Sequence, residues 1–82
     1  QPLTPAETNA YIQHRLSVSG LDQGMFQPDA LSALARLSGG IPRRINQLCD
    51  LALLVGYADE LTTLGTADIE AAAEELSQVA LD

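Results

Sequence analysis

Eighty-two residues make one small domain, and with 46% hydrophobic residues the chain has the apolar content to build a core. A single cysteine excludes an internal disulfide and any Cys₄ or Cys₂His₂ zinc cluster, no apolar run nears the ~20 residues that cross a bilayer, and no basic segment precedes an apolar one as in a secretory signal. Eleven acids against four bases, every base an Arg, leave a net charge of −7, which argues against a generic nucleic-acid-binding surface.

Helix caps divide the chain. Thr4-Pro5-Ala6-Glu7 is a capping box with proline at the first helical position, so a helix should run from there to about Ser19 and stop at Gly20. Ile12 and Leu16 point inward, with Tyr11 on the flank. Gly20 to Gly24 has the composition of a loop. A second helix opens at Phe26-Gln27-Pro28-Asp29, where Asp29 suits the positive end of the helix dipole. Leu31, Leu34 and Ala35 form its expected apolar stripe, and Ser38-Gly39-Gly40 ends it through a left-handed glycine.

A third helix should open at Pro42 and reach about Ala58. Its apolar residues spread over most of the circumference, and a helix apolar nearly all round is buried, so it is expected at the centre of the domain. An irregular stretch with Leu61 and Leu64 follows, at most briefly extended. Thr66-Ala67-Asp68 should cap a fourth helix with Ile69, Ala72, Ala73 and Leu76 inward and Glu70, Glu74 and Glu75 outward. The expected fold is all-α: one compact four-helix domain over residues 1–82, without internal repeat or linker.

The charge is unevenly placed. Residues 1–47 carry three acids and all four arginines, while residues 48–82 carry eight acids and no base. The adjacent basic pair, Arg43-Arg44, falls in the first turn of the third helix. Each cation there opposes the dipole at a cost of about 0.3–1 kcal/mol, and the two repel each other. A local penalty with no acid nearby to offset it marks a candidate functional site. An anion would reverse every term, since free backbone amides, the dipole and two guanidiniums would all attract it, and the planar arginine fork matches phosphate oxygens. The competing reading is structural: both arginines bridge to acids of the second half, or are solvated with their stems on the core.

The same segment, Gly40-Ile41-Pro42-Arg43-Arg44-Ile45-Asn46-Gln47-Leu48-Cys49-Asp50, resembles the sensor 2 region of AAA+ ATPases. Within them it is most similar to the bacterial subgroup of ExeA-, MshM- and TniB-like ATPases, which serve type II secretion, pilus biogenesis and transposition. Tyr11-Ile12 with Arg15-Leu16, Phe26 with Asp29-Ala30, and Leu53-Leu54 resemble that subgroup as well, so the similarity covers nearly the whole chain. The resemblance implies the helical C-terminal lid that follows an α/β nucleotide-binding core and closes over ATP. It implies that Arg43 is the sensor 2 arginine reaching the phosphates, that Ile41 and Pro42 line the adenine side, and that Gly39 and Gly40 set the turn. For Arg44 it leaves open the nucleotide, a neighbouring subunit or an acid. The partners it implies are the protein's own upstream P-loop core, ATP or ADP, and further copies in a ring. It also implies a cytoplasmic location; any association of the parent with the bacterial inner membrane would come from segments outside this sequence.

No Gly-x-x-x-x-Gly-Lys-Ser/Thr phosphate loop is present, the chain contains no Lys, and no apolar strand ends in the paired acids that hold Mg²⁺. ATP and its Mg²⁺ would therefore be held mainly by the core, and the sequence is expected to be a piece of a longer ATPase. His14 lacks companions for a metal site. Cys49 reads as a small core residue, Glu70, Glu74 and Glu75 as a solvated face, and Met25-Phe26 as a packing staple. Arg15 and Arg36 are expected in ion pairs on the surface or between helices. Two other functions are open to the residues alone: an acidic helical module that docks a basic partner without nucleotide, or a helix-turn-helix DNA reader. The second is disfavoured because an apolar third helix cannot be both buried and in a groove. Neither direct nucleic-acid binding nor membrane contact is expected of this domain.

Overall fold

The computed structural model describes residues 2–20 and 24–81, with side chains through Gln78. The middle of the expected Gly20–Gly24 loop, residues 21–23, lies outside them. Four helices follow in order: α1 (Pro5–Val18), α2 (Pro28–Ser38), α3 (Pro42–Ala58) and α4 (Thr66–Leu81). There are no strands among the described residues, only a single parallel bridge between Phe26 and Leu64. The all-α expectation holds.

Local chemistry places the helix ends. In α1 the Thr4 amide donates to the Glu7 carboxylate at 2.9 Å and the Glu7 amide donates to the Thr4 hydroxyl at 3.1 Å, closing the capping box. α2 and α3 each begin on a proline and have no side-chain cap. α3 ends in a Schellman motif: the Glu60 amide donates to the Tyr57 carbonyl and the Leu61 amide to the Gly56 carbonyl. Glu60 supplies the left-handed residue, at φ 58°, where glycine is usual.

α2 and α3 each pack against all three other helices, whereas α1 and α4 do not meet among the described residues. The core joins Ile12 and Leu16 of α1, Ala30, Ala33 and Leu34 of α2, Ile45, Leu48, Cys49 and Ala52 of α3, and Ile69 and Ala72 of α4. Met25, Phe26 and Leu64 enter it from the connections. Removing a side chain such as Leu34 or Ile69 from water contributes about 1.5–3 kcal/mol. Within this core the Thr8 hydroxyl is buried without a hydrogen-bond partner among the described residues.

Three expectations change. The inward stripe of α2 is Ala30, Ala33, Leu34 and Ser38, while Leu31 and Ala35 lie half-buried at its edge; small residues occupy the contact because α2 has neighbours on three sides. α3 is not buried all round. Ile45, Leu48, Cys49, Ala52 and Gly56 are inside, but Leu54 is 66% exposed and Tyr57 52%. A bundle this thin has no layer left to cover the outer face of α3. Thr66 does not cap α4 but is its first residue. The Gly65 amide donates to the Asp68 carboxylate at 2.8 Å, and the Thr66 hydroxyl is taken by Asp29 of α2 at 3.0 Å.

Candidate functional site

The turn from α2 to α3 is built by three consecutive residues. Ser38 is fully buried; its hydroxyl donates to the Ala35 carbonyl at 3.4 Å and accepts from the Gly40 amide at 3.1 Å. Gly39 and Gly40 both sit in the left-handed region, at φ 64° and 74°. Gly40 is constrained twice, because its carbonyl accepts from the Leu3 amide at 2.7 Å and a Cβ on it would run into the Leu3 backbone. The segment before α1 is thereby fastened to the turn that starts α3. Leu3 carried no signal in the sequence, and Ser38 was legible only as part of the helix stop, since its hydrogen bonds to Ala35 and Gly40 depend on the folded turn.

Beyond the turn, Ile41 is extended and half exposed, Pro42 begins the helix, and Arg43 and Arg44 take its second and third positions. The Ile45 amide donates to the Ile41 carbonyl at 2.9 Å, so helical bonding starts only after the arginines. Both arginine amides lack acceptors among the described residues, as the first amides of an uncapped helix do. On the far side of the turn, the Tyr11 hydroxyl donates to the Asn46 side-chain oxygen at 2.8 Å and holds the first part of α3 against α1.

Neither Arg43 nor Arg44 is ion-paired among the described residues. The other two arginines are: Arg15 meets Asp50 at 2.9 Å and Arg36 meets Glu70 at 3.7 Å, both between helices, as expected. Arg43 and Arg44 instead line one groove of about 450 Å³ formed with Leu37 of α2, Gln47 of α3, and Leu76 and Ser77 of α4. Two guanidiniums thus border a groove whose remaining lining is partly apolar, Leu37, Leu48, Ala73 and Leu76, and partly polar, Gln47 and Ser77, at the helix end where free amides and the dipole favour an anion. Of the residues expected at the site, the structure brings together Arg43 and Arg44, although they are ~100° apart around the helix. Ile41 and Pro42 sit outside the groove's lining, and Gly40 lies in the turn before them, held by Leu3. Gln47, Leu76 and Ser77 were not anticipated; α4 is brought to this groove by tertiary packing alone.

The weaker candidates fall into structural roles. Burial pushes the Cys49 thiol up to about 12, with Arg15 lowering it and Asp50 raising it further, so it is an unreactive core residue. No group of three or more metal-ligating side chains occurs among the described residues. No described helix is long and apolar enough to cross a membrane.

The fold and groove thus define a small all-α domain with an unpaired arginine pair at an uncapped helix start. Over 78 residues, 95% of its length, the chain is 45% identical to General secretion pathway protein A of Aeromonas hydrophila. It spans only 14% of that protein. No protein-family model and no solved structure matches the chain.

Proposed function

We propose that this chain is the helical lid of a bacterial AAA+ ATPase involved in secretion, and that Arg43 is its sensor 2 arginine. The observation that carries the reading is the pair of unpaired arginines at the uncapped start of α3, facing one groove. They lie in the segment that resembles sensor 2. The similarity to a general secretion pathway protein supports secretion over the pilus and transposition relatives, and the 14% coverage supports a place within a much larger protein.

In this reading the upstream P-loop core binds ATP with Mg²⁺, and the lid closes over it. Arg43 and the first amides of α3 approach the phosphates. Arg44, lining the same groove, adds positive potential, and Ile41 with Pro42 lies toward the base. Phosphate charge changes on hydrolysis and release, so a lid-borne arginine feels that change as a force and converts it into lid movement. Gly39 and Gly40 let the chain turn sharply enough to aim the helix start, and the Leu3–Gly40 bond ties that aim to the chain arriving from the core. Copies of the parent would assemble as a ring, with the domain itself touching neither nucleic acid nor membrane.

The test is made in the full-length parent. Arg43→Ala should lower ATP turnover, or its coupling to secretion, by about tenfold to a thousandfold while leaving the helical fold unchanged; such losses are typical when a charge-stabilising group is removed. Unchanged kinetics would take Arg43 out of the site. Absence of a phosphate loop upstream of this domain would overturn the reading altogether.

A further inference from the structure

α1 and α3 run parallel, and successive pairs along their seam change character. Tyr11 meets Asn46 through a hydrogen bond, and one turn on Arg15 meets Asp50 as an ion pair. Continued by the same 35-residue offset, helical periodicity sets Val18 at the level of Leu53 and Leu54, with Tyr57 within one turn. Ser19 and Leu53 line the same small cavity, which confirms that the helix ends lie together. Here the seam finishes open: Val18 is 74% exposed, Leu54 66% and Tyr57 52%. Three large exposed apolar side chains at one end of the seam set this place apart from isolated exposure.

Among the described residues, the carboxylates beside the patch that lack an ion pair are Asp59 and Glu60. α3 has no base in its last turn, and its negative end is followed directly by Asp59 and Glu60. Neither acid is ion-paired among the described residues, and the nearby Arg15 is already engaged by Asp50. His14 lies one turn before Val18 and is the remaining titratable group along that face of α1. Two carboxylates at a helix C-terminus oppose the dipole, an effect that a cation from outside would offset. A second copy of this chain fits poorly, because it would set Asp59 and Glu60 against acids of its own kind.

We propose that the patch of Val18, Leu54 and Tyr57 docks a basic amphipathic segment of a partner protein, its apolar face on the patch and its Lys or Arg side chains toward Asp59 and Glu60. The surface lies at the opposite end of α3 from the arginine pair, so this contact does not depend on nucleotide binding. It specifies partner chemistry by apolar centre and charged rim, the arrangement that gives an interface both affinity and selectivity.

The probe is a synthetic Leu/Lys amphipathic helix of about 18 residues, titrated into the isotope-labelled 82-residue chain and followed by amide chemical shifts. Shifts should centre on residues 14–20 and 50–61, and binding should weaken as salt is raised. Leu54→Ser and the pair Asp59→Asn with Glu60→Gln should each weaken binding by about tenfold. All of these positions are exposed, so circular dichroism should remain that of the parent chain. Shifts centred on the α4 glutamates, wild-type affinity in Leu54→Ser, equal binding of a Leu/Glu peptide, or no binding would overturn the proposal. So would concentration-dependent dimers abolished by Leu54→Ser, which would assign the patch to a second copy.

Discussion

Gly39 and Gly40 are neighbours with the same backbone sign, yet they are under different constraints. At Gly39 an added Cβ meets nothing within 4 Å, so alanine there bears only the left-handed strain, about 1–2 kcal/mol. At Gly40 the same strain is joined by collision with the Leu3 backbone, and the hydrogen bond from the Leu3 amide must break. Gly40→Ala should therefore cost clearly more than Gly39→Ala, by a further ~1–3 kcal/mol, as read from urea unfolding of each variant. Equal costs would mean that the Leu3 segment does not hold the turn. Nothing in the sequence distinguishes these glycines, because the atom that separates them belongs to a residue 37 positions away.

At the scale of the element, α3 is charged against its own dipole at both ends. Arginines occupy the positive start, and acids follow the negative end. Replacing Arg43 and Arg44 by Glu should stabilise the isolated chain by about 1–4 kcal/mol, because each of the two cations removed and two anions added contributes about 0.3–1 kcal/mol at low salt. A rise in melting temperature of roughly 4–8 °C per kcal/mol is expected for a domain of this size. The same change should abolish any role of the site toward phosphate. On the proposed reading, stability and function oppose each other at this helix start. A melting temperature that falls would show instead that the arginines hold the bundle together. The charge pattern was legible from the caps and the residue order. That both arginines share one groove was not, since the opposite wall comes from α4.

For the whole molecule, the connections weld α2 to α4. The Gln27 amide donates to the Leu64 carbonyl at 2.9 Å and the Leu64 amide to the Met25 carbonyl at 2.7 Å. Asp29 then accepts from the Thr66 hydroxyl at 3.0 Å. This hydroxyl contact first, with backbone amide donors, holds the Asp29 carboxyl below its ordinary value of 3.8 against the opposing effect of burial. A carboxylate with a depressed folded value binds fewer protons when folded than when unfolded. Its contribution is therefore present above pH 3.8 and is lost as pH falls through the folded value. The difference in melting temperature between the native chain and Asp29→Asn should accordingly be largest near neutrality and shrink below pH 3.8. A difference that does not vary with pH would remove Asp29 from the acid response.

Much of the architecture was written in local chemistry. The capping box, the prolines at helix starts and the glycine stop marked the starts of α1, α2 and α3 and the ends of α1 and α2 to within a residue, because the box satisfies the orphan amides of α1 and a proline at the first position has no amide to satisfy. The misplaced cap of α4 and the rotated stripe of α2 came from partners distant in sequence, Asp29 for Thr66 and three helices around α2. Apolar content announced a buried α3, but burial requires something to bury against, and a four-helix chain leaves Leu54 and Tyr57 uncovered. By itself the sequence determined a four-helix domain of net charge −7 with an exceptional basic pair at one helix start. Only the tertiary structure decided that this pair stays unpaired and shares a groove while Arg15 and Arg36 do not, because the reach of a side chain to an acid depends on which helices lie side by side.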